Sequence, residues 1–179
     1  MNVIRIGARA PRRHVWTGQF EIGRDATVLT ALLGSCVGIG MLWRRHGVSG
    51  LAHCLLPEGD GGDGLHAARY VSAAVPALLA ALGAHREHYH EVEVVLAGGA
   101  RMLRLPDGDS AIGRRNILAA HAHLAARGLL VTHEDLGGYQ GRRLSIDCAR
   151  LAFSIERVAE AGCTVARLDG MRAGAGARA

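Results

Sequence analysis

Cys36 follows Gly34-Ser35 at the mouth of the apolar run "LLGSCVGIG", and His53 stands 17 positions later in "LAHCLLP". A cysteine attacks as its thiolate, so it needs a group beside it that lowers its pKa or takes its proton. The Gly-Ser pair lets the backbone turn sharply and presents consecutive N–H groups near the sulfur. Such groups can hold the oxygen of a tetrahedral intermediate. Between the two residues, "RRHGVSG" carries Gly47 and Gly50 and is flanked by apolar runs, which predicts a hairpin of Val37–Trp43 with Val48–Leu55. That hairpin would return the chain so that Cys36 and His53 lie at the same end. A free cysteine is also among the most buried side chains, so composition alone leaves Cys36 open between nucleophile and small core residue.

The other reactive side chains are weaker candidates. Cys54 alternates with His53 along one strand and is expected to face the core when His53 faces the site. Cys148 and Cys163 stand in apolar or alternating contexts and read as ordinary thiols. The ten histidines invite a metal reading, with His85, His88 and His90 in "HREHYH" and His121 and His123 in "HAHL". Neither cluster has the spacing of paired CxxC units or of a helical HExxH, so neither a metal nor any other cofactor is expected. "HEDLGG" reads as solvated acids before a glycine turn, and "AGGARM" and "IGRRN" as loops able to approach a ligand.

The elements that must position these residues follow from length and pattern. A chain of 179 residues fits one domain with a core of its own. With 49% apolar but only 4% aromatic residues, that core must be built from Ala, Val, Leu and Ile. Residues 1–18 read as a weakly structured arm with a short strand at "NVIRIG", residues 19–168 as the domain, and 169–179 as a basic tail without fixed structure. One strand is expected before Gly34-Ser35, then the hairpin, then a loop at "EGDGGDG". A helix follows with Tyr70, Val71, Ala74, Val75, Leu78, Leu79 and Leu82 on its spacing, Pro76 inside it and Gly83 as its stop. "EVEVVLAGGA" reads as a strand of period two. "IGRRNILAAHAHLAARG" reads as a second helix with Ile117, Leu118, His121 and Leu124 on one face and Gly128 closing it. The last part reads as strand, glycine turn and strand pair. The order points to an α/β or α+β domain with mixed sheets.

Neither an apolar leader nor an uninterrupted membrane-length apolar run is visible. Four cysteines in that context argue for free thiols in a reducing compartment, so a cytoplasmic protein is expected. The formal charge of +5 comes largely from Arg-rich ends. Aromatics are not interleaved with the arginines as on a single-strand-binding face. An acidic protein partner is therefore preferred to nucleic acid.

Taken together, the motifs resemble the bacterial chemoreceptor glutamine deamidases, the CheD family. They run collinearly: "LGSCV" (Leu33 to Val37), "LAHCLLP" (Leu51 to Pro57), "ARYV" (Ala68 to Val71), "LAGGARM" (Leu96 to Met102), "IGRRN" (Ile112 to Asn116), "EDLGG" (Glu134 to Gly138) and "GRRLSID" (Gly141 to Asp147). The resemblance covers roughly Ile22 to Arg157. It implies two packed mixed β-sheets flanked by helices, similar in core to the deamidating bacterial toxins, and a cysteine hydrolase acting on glutamine side chains of receptors. The family's catalytic cysteine falls on Cys36 and its histidine on His53. The threonine that orients the histidine falls on Thr30, with Thr27 the less favoured substitute, and Gly34 and Ser35 form the turn and oxyanion site. Departures are Cys54 in place of an aromatic residue, Ala111 in place of an asparagine, and the absence of a Thr-Gly turn near Cys148-Ala149. The implied partners are receptor cytoplasmic domains and a CheC-type phosphatase, with Gly59–Gly64, Gly98–Arg101 and Gly137–Arg142 as candidate contact loops. The alternatives are a non-catalytic adaptor binding receptor or phosphatase, a methyl-ester hydrolase on the same thiolate, and a redox-sensing thiol protein.

Overall fold

The computed structural model describes residues 10–60, 67–101 and 110–158. The expected strand at "NVIRIG", the tail after 168 and Cys163 lie outside them. Among the described residues, nine strands and two α-helices form three layers. The strands are β1 (Arg12–His14), β2 (Phe20–Gly23), β3 (Val28–Leu33), β4 (Val37–Trp43), β5 (Val48–Cys54), β6 (Glu93–Gly98), β7 (Val131–Leu136), β8 (Gly141–Asp147) and β9 (Ala152–Val158). The helices are α1 (Val71–Leu82) and α2 (Ser110–Ala125). One sheet has the order β1-β3-β8-β9 and the other β2-β5-β4-β6-β7. Each has one parallel pair, β1 with β3 and β6 with β7, so both are mixed as expected.

The five-stranded sheet is the middle layer, which explains why β4 and β5 are buried along their whole length. Val37, Ile39, Met41 and Trp43 point toward the helices, where Val71, Val75, Leu78 and Leu79 of α1 and Ala120 and Leu124 of α2 meet them. The opposite face looks to the four-stranded sheet through Leu42, Leu51, Val95 and Ala97, against Leu29, Ala31, Leu33, Leu144 and Ile146. Gly38 and Gly40 let the two sheets approach: a Cβ on them would come within 2.7 Å of Leu33 and 3.0 Å of Ile146.

Local chemistry sets the ends of these elements. The hairpin β4–β5 turns through a 3-10 segment, Arg44–His46, closed by Gly47 in the left-handed region. Helix α1 ends at Gly83 with φ +77, whose amide bonds back to Ala80 and Leu79. Pro76 is accommodated on its exposed side.

Three expectations are corrected. The stretch read as one strand before Gly34 is two, β2 and β3, which enter different sheets after the break at Arg24–Thr27. Part of the supposed arm is structured, because β1 pairs with β3 and Val15 is fully buried between the sheets. On α2 the buried positions are Gly113, Asn116, Ala119, Ala120 and Leu124, whereas Leu118 is 57% exposed. Helical spacing carried back from Leu124 through Ala120 reaches Asn116 and leaves Leu118 outside the stripe.

Candidate active site

The hairpin register pairs Val37 with Cys54 and Gly38 with His53. His53 therefore shares its face of β5 with Ser49 and Leu51, the face toward the four-stranded sheet, while Cys54 faces the helices and is fully buried there. Cys36 packs against the inter-sheet core and is half-buried. It directly precedes Val37, whose ladder partner Cys54 directly follows His53, so the two residues lie at the same end of the hairpin.

The imidazole is fixed from the other side. His53 is nearly buried, and its Nδ1 lies 3.1 Å from the carbonyl oxygen of Val15. A carbonyl only accepts, so Nδ1 carries the proton and Nε2 the lone pair. The Thr17 hydroxyl, 3.4 Å away, then donates to Nε2. Val15 and Thr17 belong to the link between β1 and β2. That link closes as a turn from the Gln19 amide to the Trp16 carbonyl, with Gly18 at φ +83, and is tied to β5 by the Gly18 amide to the His53 carbonyl and the His53 amide to the Gln19 carbonyl.

Thr30 does not join this group. On β3 it alternates with the inward-facing Leu29 and Ala31, and its hydroxyl is 3.1 Å from Ser145 Oγ on β8. Thr27 precedes β3 and accepts the Cys148 amide at its carbonyl, at the opposite end of the strand.

The Gly34–Cys36 turn is clamped by three other elements. Gly99 and Ala100 donate their amides to the carbonyls of Cys36 and Gly34 at 2.8 Å each. Asn116, fully buried on α2, donates from Nδ2 to the carbonyl of Ser35 at 3.1 Å and to that of Leu55 at 3.0 Å, joining the cysteine turn to the end of the histidine strand. With these carbonyls engaged, the Ser35 and Cys36 amides donate to no other described residue. Gly98 has φ +104, and a Cβ there would overlap the Cys36 carbonyl, so only glycine fits the approach.

A second tie runs behind the clamp. Arg142 is buried and bonds Asp135 at 2.8 Å and the carbonyls of Gly137 and Gln140. The Gly137 amide reaches the Gly98 carbonyl, and the Arg101 amide that of Gly138. The acids of "HEDLGG" are thus on strand β7 rather than in a turn. Asp135 takes Arg142 and Arg157, and Glu134 pairs with His121 at 3.2 Å. Burial pushes Asp135 up, but the hydrogen bonds from Arg157 and Arg142 outweigh it and leave its carboxyl below the usual range.

Burial dominates the electrostatics of the reactive pair. It raises the Cys36 thiol above its ordinary pKa, against a smaller lowering from the residue's own amide. It lowers the His53 imidazole, against the Val15 carbonyl, which raises it, and with help from His14 nearby. At neutral pH the resting pair is thiol and neutral imidazole. Cys54 is pushed far up by burial and next by Cys36, so it stays an inert thiol.

Comparisons with known proteins give the family. Residues 55–157 match the family model described as CheD chemotactic sensory transduction. A protein from a Ruegeria species, named a probable chemoreceptor glutamine deamidase CheD 2, is 35% identical over 85% of this chain and 95% of its own length. The chain belongs to the CheD family. CheD relatives from Bdellovibrio bacteriovorus, at 39% identity over 74% of this chain and 86% of their own, and from Natronomonas pharaonis, at 33% over 82% and 88%, carry the same name of probable chemoreceptor glutamine deamidase. Among the described residues, parts of all the CheD motifs lie around the Gly34–Cys36 turn and the end of β5. Even "ARYV" does so, since Arg69 accepts the amides of Leu55 and Leu56 and Val71 donates to Leu56. Asn116 and Arg142 lay inside motifs whose local pattern showed a loop and a strand; the signal was the burial of a polar side chain, which spacing does not reveal.

Proposed function

We propose that this chain is a protein-glutamine deamidase that converts glutamine side chains of methyl-accepting chemoreceptors to glutamate, releasing ammonia. The observation that supports the reading is the hairpin register that brings Val37, next to the partly buried Cys36, opposite Cys54, next to a histidine whose Nδ1 proton is already committed to Val15. Membership of CheD supplies the substrate class.

The chemistry follows from the neutral pair. As Cys36 Sγ attacks the side-chain carbonyl carbon, the Thr17 hydroxyl turns away from Nε2 of His53 and that lone pair takes the thiol proton, so proton transfer accompanies attack rather than preceding it. The carbonyl electrons move to oxygen, where the Ser35 and Cys36 amides hold the charge, with Gly34 allowing the turn that aims them. Collapse of the tetrahedral species breaks the C–N bond, and the imidazolium gives its proton to the departing ammonia. A thioester remains. Water, deprotonated by Nε2, adds to it, and the sulfur leaves to recover the thiol. The balance is amide plus water to carboxylic acid plus ammonia, with no cofactor called for. Val15 and Thr17 fill the orienting role that the family resemblance assigns to Thr30.

Receptor cytoplasmic segments are the macromolecular substrate, a CheC-type phosphatase is a second partner, and the cytoplasm is the compartment. No described helix is long and apolar enough to cross a membrane. Gly98–Arg101 and Gly137–Arg142 border the site as contact loops, whereas Gly59–Gly64 falls largely outside the described residues.

The test is ammonia release together with mass spectrometry of glutamine side chains in a receptor cytoplasmic fragment. Conversion by the wild type and its loss in Cys36→Ala and His53→Ala support the proposal. A fragment that binds without conversion would sink it in favour of the adaptor, and conversion that survives Cys36→Ala would sink Cys36 as the nucleophile.

A further inference from the structure

Trp16 and Leu32 stand on the surface at 63% and 50% exposure. Single exposed apolar residues are ordinary, but the placement of these two is not. β1 runs parallel to β3 with His14 opposite Thr30, and the Val15 amide donates to the Thr30 carbonyl. The last bond of that pairing leaves Trp16 one residue past Val15 and Leu32 two past Thr30, both at the end of the pair nearer Cys36. Both alternate outward while Val15, Ala31 and Leu33 point in. Trp16 lies between the two residues that hold the His53 ring, and Leu32 lies four before Cys36. On the far side of the cysteine turn, Tyr139 is 54% exposed in the loop tied to Gly98 and Arg101. Three of the five exposed large apolar side chains among the described residues thus stand in segments that adjoin the His53 ring or the cysteine turn.

Charge accompanies them. His14, beside Trp16, and Arg101, next to the residue that clamps the cysteine turn, are exposed, and among the described residues Arg101 forms no ion pair. The His14 ring meets Trp16 edge-on with centroids 4.3 Å apart, which holds the indole in place before anything binds.

We propose that Trp16 and Leu32 form an apolar shoulder that selects which glutamines reach Cys36. It takes a glutamine-bearing protein segment with an apolar side chain beside the glutamine and a carboxylate further along for Arg101. The occupant is argued from continuity with the reactive pair and from charge complementarity, and the turnover arm of its test rests on the deamidase reading above.

Two glutamine peptides test it, one with leucine next to the glutamine and a glutamate beyond, the other with serine in place of the leucine. The wild type should prefer the leucine peptide in kcat/KM. Trp16→Ala should lose about tenfold or more on the leucine peptide and far less on the serine peptide, and Trp16→Phe should recover most of the loss. Equal losses on both peptides, or no preference in the wild type, would overturn the shoulder while leaving deamidation standing. Equilibrium binding of both peptides to Cys36→Ala separates the two ideas. A Trp16-dependent preference in binding without wild-type turnover supports the shoulder and overturns the deamidase reading; absence of that preference overturns the shoulder whatever the turnover.

Discussion

Asn116 is the residue whose removal should cost function out of proportion to stability. Its Nδ2 holds the carbonyls of Ser35 and Leu55 together, so Asn116→Ala strands two acceptors. A buried acceptor left unmade costs about 1–3 kcal/mol. Ser35 and Leu55 are only half-buried, and water can partly replace the amide, which puts each at the low end. Against that, Asn116 Oδ1 is itself buried with no partner among the described residues, a standing penalty of similar size that alanine removes. The net loss is about 1–2 kcal/mol, read as a lower urea midpoint with an unchanged slope. Asn116→Asp should be worse than alanine, because it puts a carboxylate oxygen where Nδ2 faced two carbonyls in a buried site. Activity should fall further than the folded fraction does, by about tenfold or more, because the Ser35 peptide is freed and its amide no longer points at the developing oxyanion. If aspartate matches or exceeds alanine in stability, or ammonia release falls only as the protein unfolds, the clamp is not what holds the site.

The remaining predictions concern the proton. Because burial lowers His53, kcat/KM should be retained above its pKa and lost as pH falls through a midpoint below the ordinary histidine value of about 6.5. Because burial raises Cys36, its alkylation by iodoacetamide should climb steadily into the alkaline range. A flat alkylation rate across neutral pH would mean a preformed thiolate–imidazolium pair and would falsify the neutral resting state. Thr17→Val should reduce kcat by roughly two- to tenfold, the worth of one hydrogen bond, with Thr17→Ser restoring it. Thr30→Val should instead register in stability, through Ser145. Rates in the reverse order would return the orienting role to Thr30.

Much of the site was legible because its first half is local. The glycines of "RRHGVSG" and the apolar runs around them define a hairpin, and the hairpin alone brings Cys36 and His53 to one end. Helix α1 was legible for the same reason, since its spacing and the Gly83 stop lie within a dozen residues. What escaped is contact across the chain. β1 is three exposed residues, "RRH", with no apolar alternation to announce it. Its parallel pairing with β3 depends on a connection through the other sheet. Parallel pairs need such crossovers, and nothing in a short polar strand signals them.

That missed element is the one that completes the site. Val15 and Thr17 reach His53 from 38 and 36 positions away, and they do so because β1 and β2 are edge strands of different sheets. The turn joining them must cross the gap between the sheets, and at the Cys36 end that gap is where the imidazole emerges. The same crossing leaves Trp16 outside, beside the reactive pair. Orientation of the base and presentation of an apolar contact to the substrate therefore come from one four-residue turn. A change in that turn should alter rate and substrate choice together, whereas a change in Asn116 should alter rate alone.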